Sequence, residues 1–339
     1  MVFVYEFKKY LGDRMHRRAL VFGLTSSLCS TRSAKADVGD AVETQVILLT
    51  ADDGRQFETL VRWPKGARGA LPLIVFSHGL GSNMDAFRET TVAWARAGYI
   101  TVQPTHADSI RPSPLRTKIG EDLAGVMRAL ASGAADGAAR AELVSRLEKP
   151  EYLDSRLVDI NKVISAALTG DGWPNSAPRV DSKRIGMAGH SYGAYTTLAL
   201  AGAAIFTGGI RRNLADPRLS AFMVISGQGP GRMGLEPQSF DSLSGPVLWI
   251  SGSKDYGANG ETPSWRLEPW TLTPPQDKYK LFVDGARHTD FDAPPGAPEV
   301  TETLHAREIN FWNAYLKGSR RDRKALTAPT PAGVICIRR

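Results

Sequence analysis

From residue 44 onward, short apolar runs alternate with longer segments whose apolar positions recur every three or four residues. Residues 44–50 (TQVILLT) and 56–63 (QFETLVRW) read as two strands joined by the turn ADDG. Residues 71–77 (LPLIVFS) form a continuous apolar run, the pattern of a strand buried on both faces of a parallel sheet. Helical spacing follows over 85–98, closed by Gly98, and residues 99–104 (YITVQP) read as the next strand. Between 109 and 182 the pattern is helical around 118–131, 138–148 and 154–168. Strands are then expected at 184–190, 219–227, 245–252 and 278–285, with helices at 192–204 and 301–316. Strands alternating with helices imply parallel pairing through right-handed crossovers. The expectation is one α/β domain over 37–317, with 109–182 as an inserted helical layer before the strand at 184–190.

Charge changes this picture only at the ends. The 339 residues carry a net charge of +7, and 42% of them are hydrophobic. Residues 1–36 hold seven basic side chains against Glu6 and Asp13, and the stretch from Lys317 holds seven against Asp322. The body between is slightly acidic, which argues against a nucleic-acid groove. At the amino terminus, Arg17 and Arg18 precede a ten-residue apolar run, ALVFGLTSSL, followed by a small-x-small site at Ala34-Lys35-Ala36. That is the order of a secretory signal, resembling the twin-arginine type, with translation starting at Met15. The run is too short to span a bilayer, so no integral membrane span is expected. Cleavage after Ala36 would leave Cys336 as the single cysteine, with no intramolecular disulfide and no zinc-ligand spacing. Residues 318–339, basic and then rich in Pro, Ala and Thr, are expected to be disordered.

Candidate chemistry centres on Gly189-His190-Ser191-Tyr192-Gly193, a G-x-S-x-G placed between an expected strand and an expected helix. A serine there is presented above the sheet edge, with the unpaired N–H groups of the new helix beneath it. It needs a base, and of the six histidines only His288 lies in a loop directly after the last strand. The base needs a carboxylate to fix its tautomer. Asp255, after the strand at 245–252, is the choice over Asp241, Asp284, Asp290 and Asp292. Backbone donors for a developing oxyanion are expected from the N–H of Tyr192 and the N–H of Leu80 in the loop HGLG. His106, Tyr256, Trp265, Trp270 and Phe291 are candidates to bind an apolar acyl or aromatic group, with ordinary loop packing as the alternative for the aromatics.

In this order HGLG, GHSYG, SGSKD and DGARH resemble the α/β-hydrolase superfamily across nearly the whole body of the chain. The segment FSHGLGSNMDAFRETTVAWARAGYITVQPTHADS is similar to the branch of dienelactone-hydrolase-like proteins, platelet-activating-factor acetylhydrolases and cutinase-like polyester hydrolases. The resemblance implies an α/β-hydrolase fold, with a mostly parallel central sheet flanked by helices. It also implies carboxylic-ester hydrolysis through an acyl-enzyme but does not specify the ester; a small-molecule or lipid-like ester is the expected substrate, with no cofactor or metal expected. Dienelactone hydrolases carry a cysteine nucleophile where this chain has Ser191, so their activity is not implied. A peptidase on the same triad and a non-catalytic binding protein are the alternatives. The signal reading makes a direct prediction: protein exported by its native host should begin at Asp37 by intact mass. A mature chain starting at Met1 or Met15 would remove the expectation of a periplasmic or secreted location.

Overall fold

The computed structural model describes residues 41–132, 137–294 and 298–339. The expected signal segment lies outside them. An antiparallel hairpin, β1 (Val42–Thr50) and β2 (Gln56–Pro64), opens the chain around the 51–54 turn. Next come β3 (Ala70–Ser77), helix α1 (Arg88–Arg96) and β4 (Ile100–Pro104). Three helices follow, α2 (Lys118–Ser132), α3 (Ala138–Leu147) and α4 (Pro150–Thr169), before β5 (Arg179–His190) and α5 (Tyr192–Leu200). A small hairpin, β6 (Ile205–Thr207) with β7 (Ile210–Arg212), precedes β8 (Ala221–Ile225) and β9 (Val247–Lys254). The chain ends with α6 (Glu268–Leu272), β10 (Lys278–Arg287), α7 (Pro298–Leu316), α8 (Arg320–Ala325) and β11 (Val334–Arg338).

Nine strands form one sheet in the order β1-β2-β4-β3-β5-β8-β9-β10-β11. The six from β4 to β10 run parallel, and the sheet is antiparallel only towards its edges. Side chains alternate across a strand, so each apolar run feeds two cores. In β3, Leu73 and Val75 join the layer under α2 to α5, whereas Ile74 and Phe76 join the layer under α1 and α7. That is why these strands read as continuously apolar. Among the described residues, no helix is long and apolar enough to cross a membrane.

The carboxy-terminal segment departs from expectation. Residues 318–339, expected to be disordered, form α8 and the edge strand β11, which pairs antiparallel with β10. Average composition hides the reason, which is local. Val334 and Cys336, two apart, both point inward and are buried, and Leu326 is buried between them and α7. The basic charge is also engaged: Arg338 donates to Asp277 at 2.8 Å and Arg323 pairs with the same carboxylate, while Ser319 caps α8 by accepting the Asp322 N–H at 3.2 Å. Truncation after Lys317 should expose the edge of β10 and remove these buried side chains, at about 1.5–3 kcal/mol for each large one. The melting temperature should fall by several degrees, at about 2–4 °C per kcal/mol for a domain of this size. An unchanged melting curve would show that the segment adds nothing to the fold.

Candidate active site

A single residue makes the turn between β5 and α5. Ser191 adopts φ 55°, ψ −117°, a conformation that L residues rarely hold without support from their surroundings. The support is the approach of backbone on both sides. A Cβ at Gly189 would lie 2.1 Å from the Gly193 carbonyl oxygen, and one at Gly193 would lie 1.9 Å from that of Ser77. Glycine at both positions lets the first turn of α5 sit against the end of β3.

The strand ends bring the remaining groups to this serine. Ser191 Oγ lies 2.9 Å from His288 Nε2, just beyond β10. With Nε2 as acceptor, Nδ1 carries the proton, and it faces Asp255 Oδ1 at 3.0 Å and Ser226 Oγ at 2.7 Å. Ser226 donates its own hydroxyl hydrogen to Asp255 Oδ1 at 2.8 Å, and Ser251 donates to Oδ2 at 3.0 Å. Behind the carboxylate sits Arg266, only 4% exposed. Its Nε lies 2.7 Å from Asp255 Oδ1, and the guanidinium also donates to the carbonyls of Asp255, Ser226, Gly227 and Tyr256. Burial works to raise the Asp255 carboxyl, but Arg266, His288 and Ser226 outweigh it and hold it below its ordinary value. Burial and then Arg266 push the His288 imidazole below its ordinary value, against the pull of Asp255. His190 holds the His288 backbone from outside by donating Nε2–H to its carbonyl at 2.7 Å.

The loop after β3 closes the other side. Leu80 lines the same cavity as Ser191, and the Asp108 carboxylate accepts the Gly81 N–H at 2.9 Å. Asp108 is paired in turn with Arg156 of α4 through two contacts of 2.8 Å, and neither side chain is exposed. Burial raises the Asp108 carboxyl, but Arg156 overrides it and holds the group well below the usual carboxylate range.

Ser191 and His288 open onto a cavity of about 650 Å³. Its apolar wall comes from Leu80, Phe87, Ile110, Met127, Leu143 and Met233, so the inserted helices α2 and α3 shape it. Of the five side chains expected to bind substrate, Trp265 lines this cavity, with its indole N–H donated to the Pro230 carbonyl at 2.9 Å. The other four lie elsewhere. His106 is buried behind the loop, between Ser77 Oγ and Asp159 at 2.9 Å each. Phe291 is fully buried in the α1 and α7 core. Trp270 bonds the Lys278 carbonyl under Lys280, and Tyr256 is 47% exposed outside the cavity. An aromatic in a loop follows whichever core is nearest, and loop sequence alone carries no direction. Ser226, Arg266, Arg156 and Asp108 were not picked out from sequence. The run after β8 has no acid, yet Ser226 at φ 53° occupies the place an acid could have taken. Among the described residues, no group of three or more His, Cys, Asp or Glu side chains is arranged to hold a metal ion.

The His288 imidazole should be neutral at ordinary pH. It is expected to take up a proton only as pH falls below 6.5, because burial and Arg266 both disfavour the cation. An NMR titration of the His288 ring nitrogens tests this, and a midpoint above 6.5 would contradict the arrangement.

No family model matches the chain, and neither does any curated protein. Among solved structures, a Klebsiella pneumoniae protein described as a "Putative Dienelactone Hydrolase" superposes with a TM-score of 0.55 at 15% identity. The match covers 81% of this chain and 100% of that one. Six parallel strands, a serine at the turn from the central strand into its helix, and this superposition together give the chain the α/β-hydrolase fold.

Proposed function

We propose that the chain is a serine hydrolase that cleaves carboxylic esters through an acyl-enzyme on Ser191. The observation that carries this is the unbroken line from Ser191 Oγ to His288 Nε2 at 2.9 Å and from His288 Nδ1 to Asp255 at 3.0 Å. In the proposed cycle His288 takes the Ser191 proton as Oγ attacks the ester carbonyl carbon. The Nδ1–H, held by Asp255 and Ser226, keeps Nε2 facing the serine and stabilises the imidazolium that forms. The carbonyl oxygen gathers negative charge and is met by the N–H groups of Tyr192 and Leu80, donors that need no rearrangement during the step. Collapse breaks the bond to the alcohol oxygen, which receives the proton from His288. Water, activated by the same imidazole, then releases the acid and restores Ser191.

The apolar cavity supports an ester with a hydrophobic acyl or alkyl group, and its size falls in the range of small-molecule sites (roughly 300–1,000 Å³). Each CH₂ taken from water into it contributes about 0.8 kcal/mol. Turnover of p-nitrophenyl esters should therefore rise in kcat/KM from acetate to octanoate by tenfold or more.

The triad is tested on one activated ester near neutral pH. Ser191→Ala should lower kcat by about 10⁴ or more, and Asp255→Asn by about 10² to 10⁴, with the fold retained. Asp284→Asn should stay within about threefold, since that carboxylate accepts from Ser253 of β9, away from His288 Nδ1. The acid limb of kcat/KM should lie below pH 6.5, because protonation of His288 removes the base. Turnover in Ser191→Ala close to that of the parent would overturn the mechanism. An inactive Asp284→Asn beside an active Asp255→Asn would overturn only the choice of acid.

A further inference from the structure

We propose that Arg156, with its partner Asp108, is a positioning residue for the oxyanion hole: its guanidinium holds the backbone of 78–80 turned so that the Leu80 N–H faces Ser191. Arg156 has this role only if Ser191 attacks an ester carbonyl, as proposed above.

The geometry starts with one peptide group. The carbonyl of Gly79 and the N–H of Leu80 belong to the same trans amide and point in opposite directions. The Gly79 carbonyl is held on the inner side. His78 donates Nδ1–H to it at 2.7 Å, and Arg156 Nη2–H approaches it at 3.3 Å. The His78 tautomer is set by its other nitrogen, because Nε2 accepts the His106 backbone N–H at 3.0 Å and so carries no proton. Arg156 Nη1 also donates to the preceding carbonyl, that of His78, at 2.5 Å, and to Ser77 Oγ at 3.1 Å. With both carbonyls drawn inward, the Leu80 N–H is directed outward. Outward is the serine: a Cβ at Gly79 would lie 3.5 Å from the Ser191 Cβ, and Leu80 lines the cavity with Ser191. The next amide, Gly81 N–H, is taken by Asp108, and among the described residues the Leu80 N–H has no acceptor.

A buried ion pair placed only for stability has no need of this pattern. Arg156 spends two of its donors on Asp108 and the rest on three successive residues that run from the end of β3 into the loop. Only a planar, forked group can do that, and a lysine ammonium cannot span the same set. Asp108 is divided in the same way, between Arg156 and the loop amide of Gly81. The inserted layer that shapes the cavity thus also supplies, from α4, the group that sets the loop.

The test compares the parent with Arg156→Lys and Asp108→Asn, each checked for folding by circular dichroism and thermal melting. Three quantities are read: kcat and KM on a p-nitrophenyl ester, the inhibition constant of an alkyl boronic acid, and the NMR titration of His288. The boronate adduct on Ser191 places an oxygen where the oxyanion forms, whereas bound substrate does not. For Arg156→Lys the expectation is a loss of about 10² to 10³ in kcat, the size of losing one oxyanion donor, with KM within about threefold. Boronate affinity should fall alongside kcat, and the His288 titration should stay in place. Asp108→Asn should show the same pattern more weakly, and it carries the test should Arg156→Lys fail to fold. A folded variant with kcat within threefold of the parent overturns the proposal. So does a loss of kcat with boronate affinity unchanged, or one accompanied by a moved His288 titration. If the parent itself shows no Ser191-dependent turnover, the esterase reading falls, and the role given to Arg156 falls with it.

Discussion

The closest backbone approach in the site governs the rest of it. The start of α5 lies so near the end of β3 that no atom larger than hydrogen fits on Gly193. That single approach sets Ser191 at its unusual φ and brings the loop at Leu80 beside the serine. It also aims the free N–H groups of the helix at one point above the sheet. Everything else in the site is arranged around a position that the backbone has already decided. The strain at Ser191 persists because two strands and a helix over-determine it.

Two buried arginines stand on either side of that point and act on different atoms. Arg266 sits behind Asp255 and, with His288 and Ser226, holds its carboxyl low against the upward push of burial. Arg156 sits behind Asp108 and spends its remaining donors on main chain. Withdrawing such charges from water costs several kcal/mol per ion unless they are paired and hydrogen-bonded, and both arginines are paired with a carboxylate and donate to several acceptors. Buried pairs are a poor source of stability but a good means of fixing geometry, which suits a site whose parts come from separate strand ends.

Much of this was legible beforehand, for identifiable reasons. The apolar runs of β3, β5, β8 and β9 are continuous because both faces are covered, and burial on both sides leaves a strong signal in sequence. Ser191 and His288 were found from their places after strands, and the structure brings them within hydrogen-bond distance. Asp255 was reached by the same route. What sequence could not supply was direction. Trp265 and Trp270 lie five residues apart in one segment, yet one lines the cavity and the other packs on β10. Ser226 and Arg156 belong to residue types that occur throughout the chain, and only the folded proximity of their partners marks them. The edge strand β11 was hidden by basic and Pro-rich neighbours that dominate any average over the segment.

That last strand bears on the order in which the molecule is made. β10, whose end leads into His288, has β9 on one side and β11 on the other. While synthesis proceeds, each strand from β1 to β9 can find both of its partners, or its one edge partner, before β11 emerges. β10 cannot, and until Val334 to Arg338 arrive it presents a row of unpaired amides and carbonyls. The segment leading into His288 is therefore the last part of this sheet to be shielded, and a chain without β11 is one whose sticky edge adjoins the candidate site.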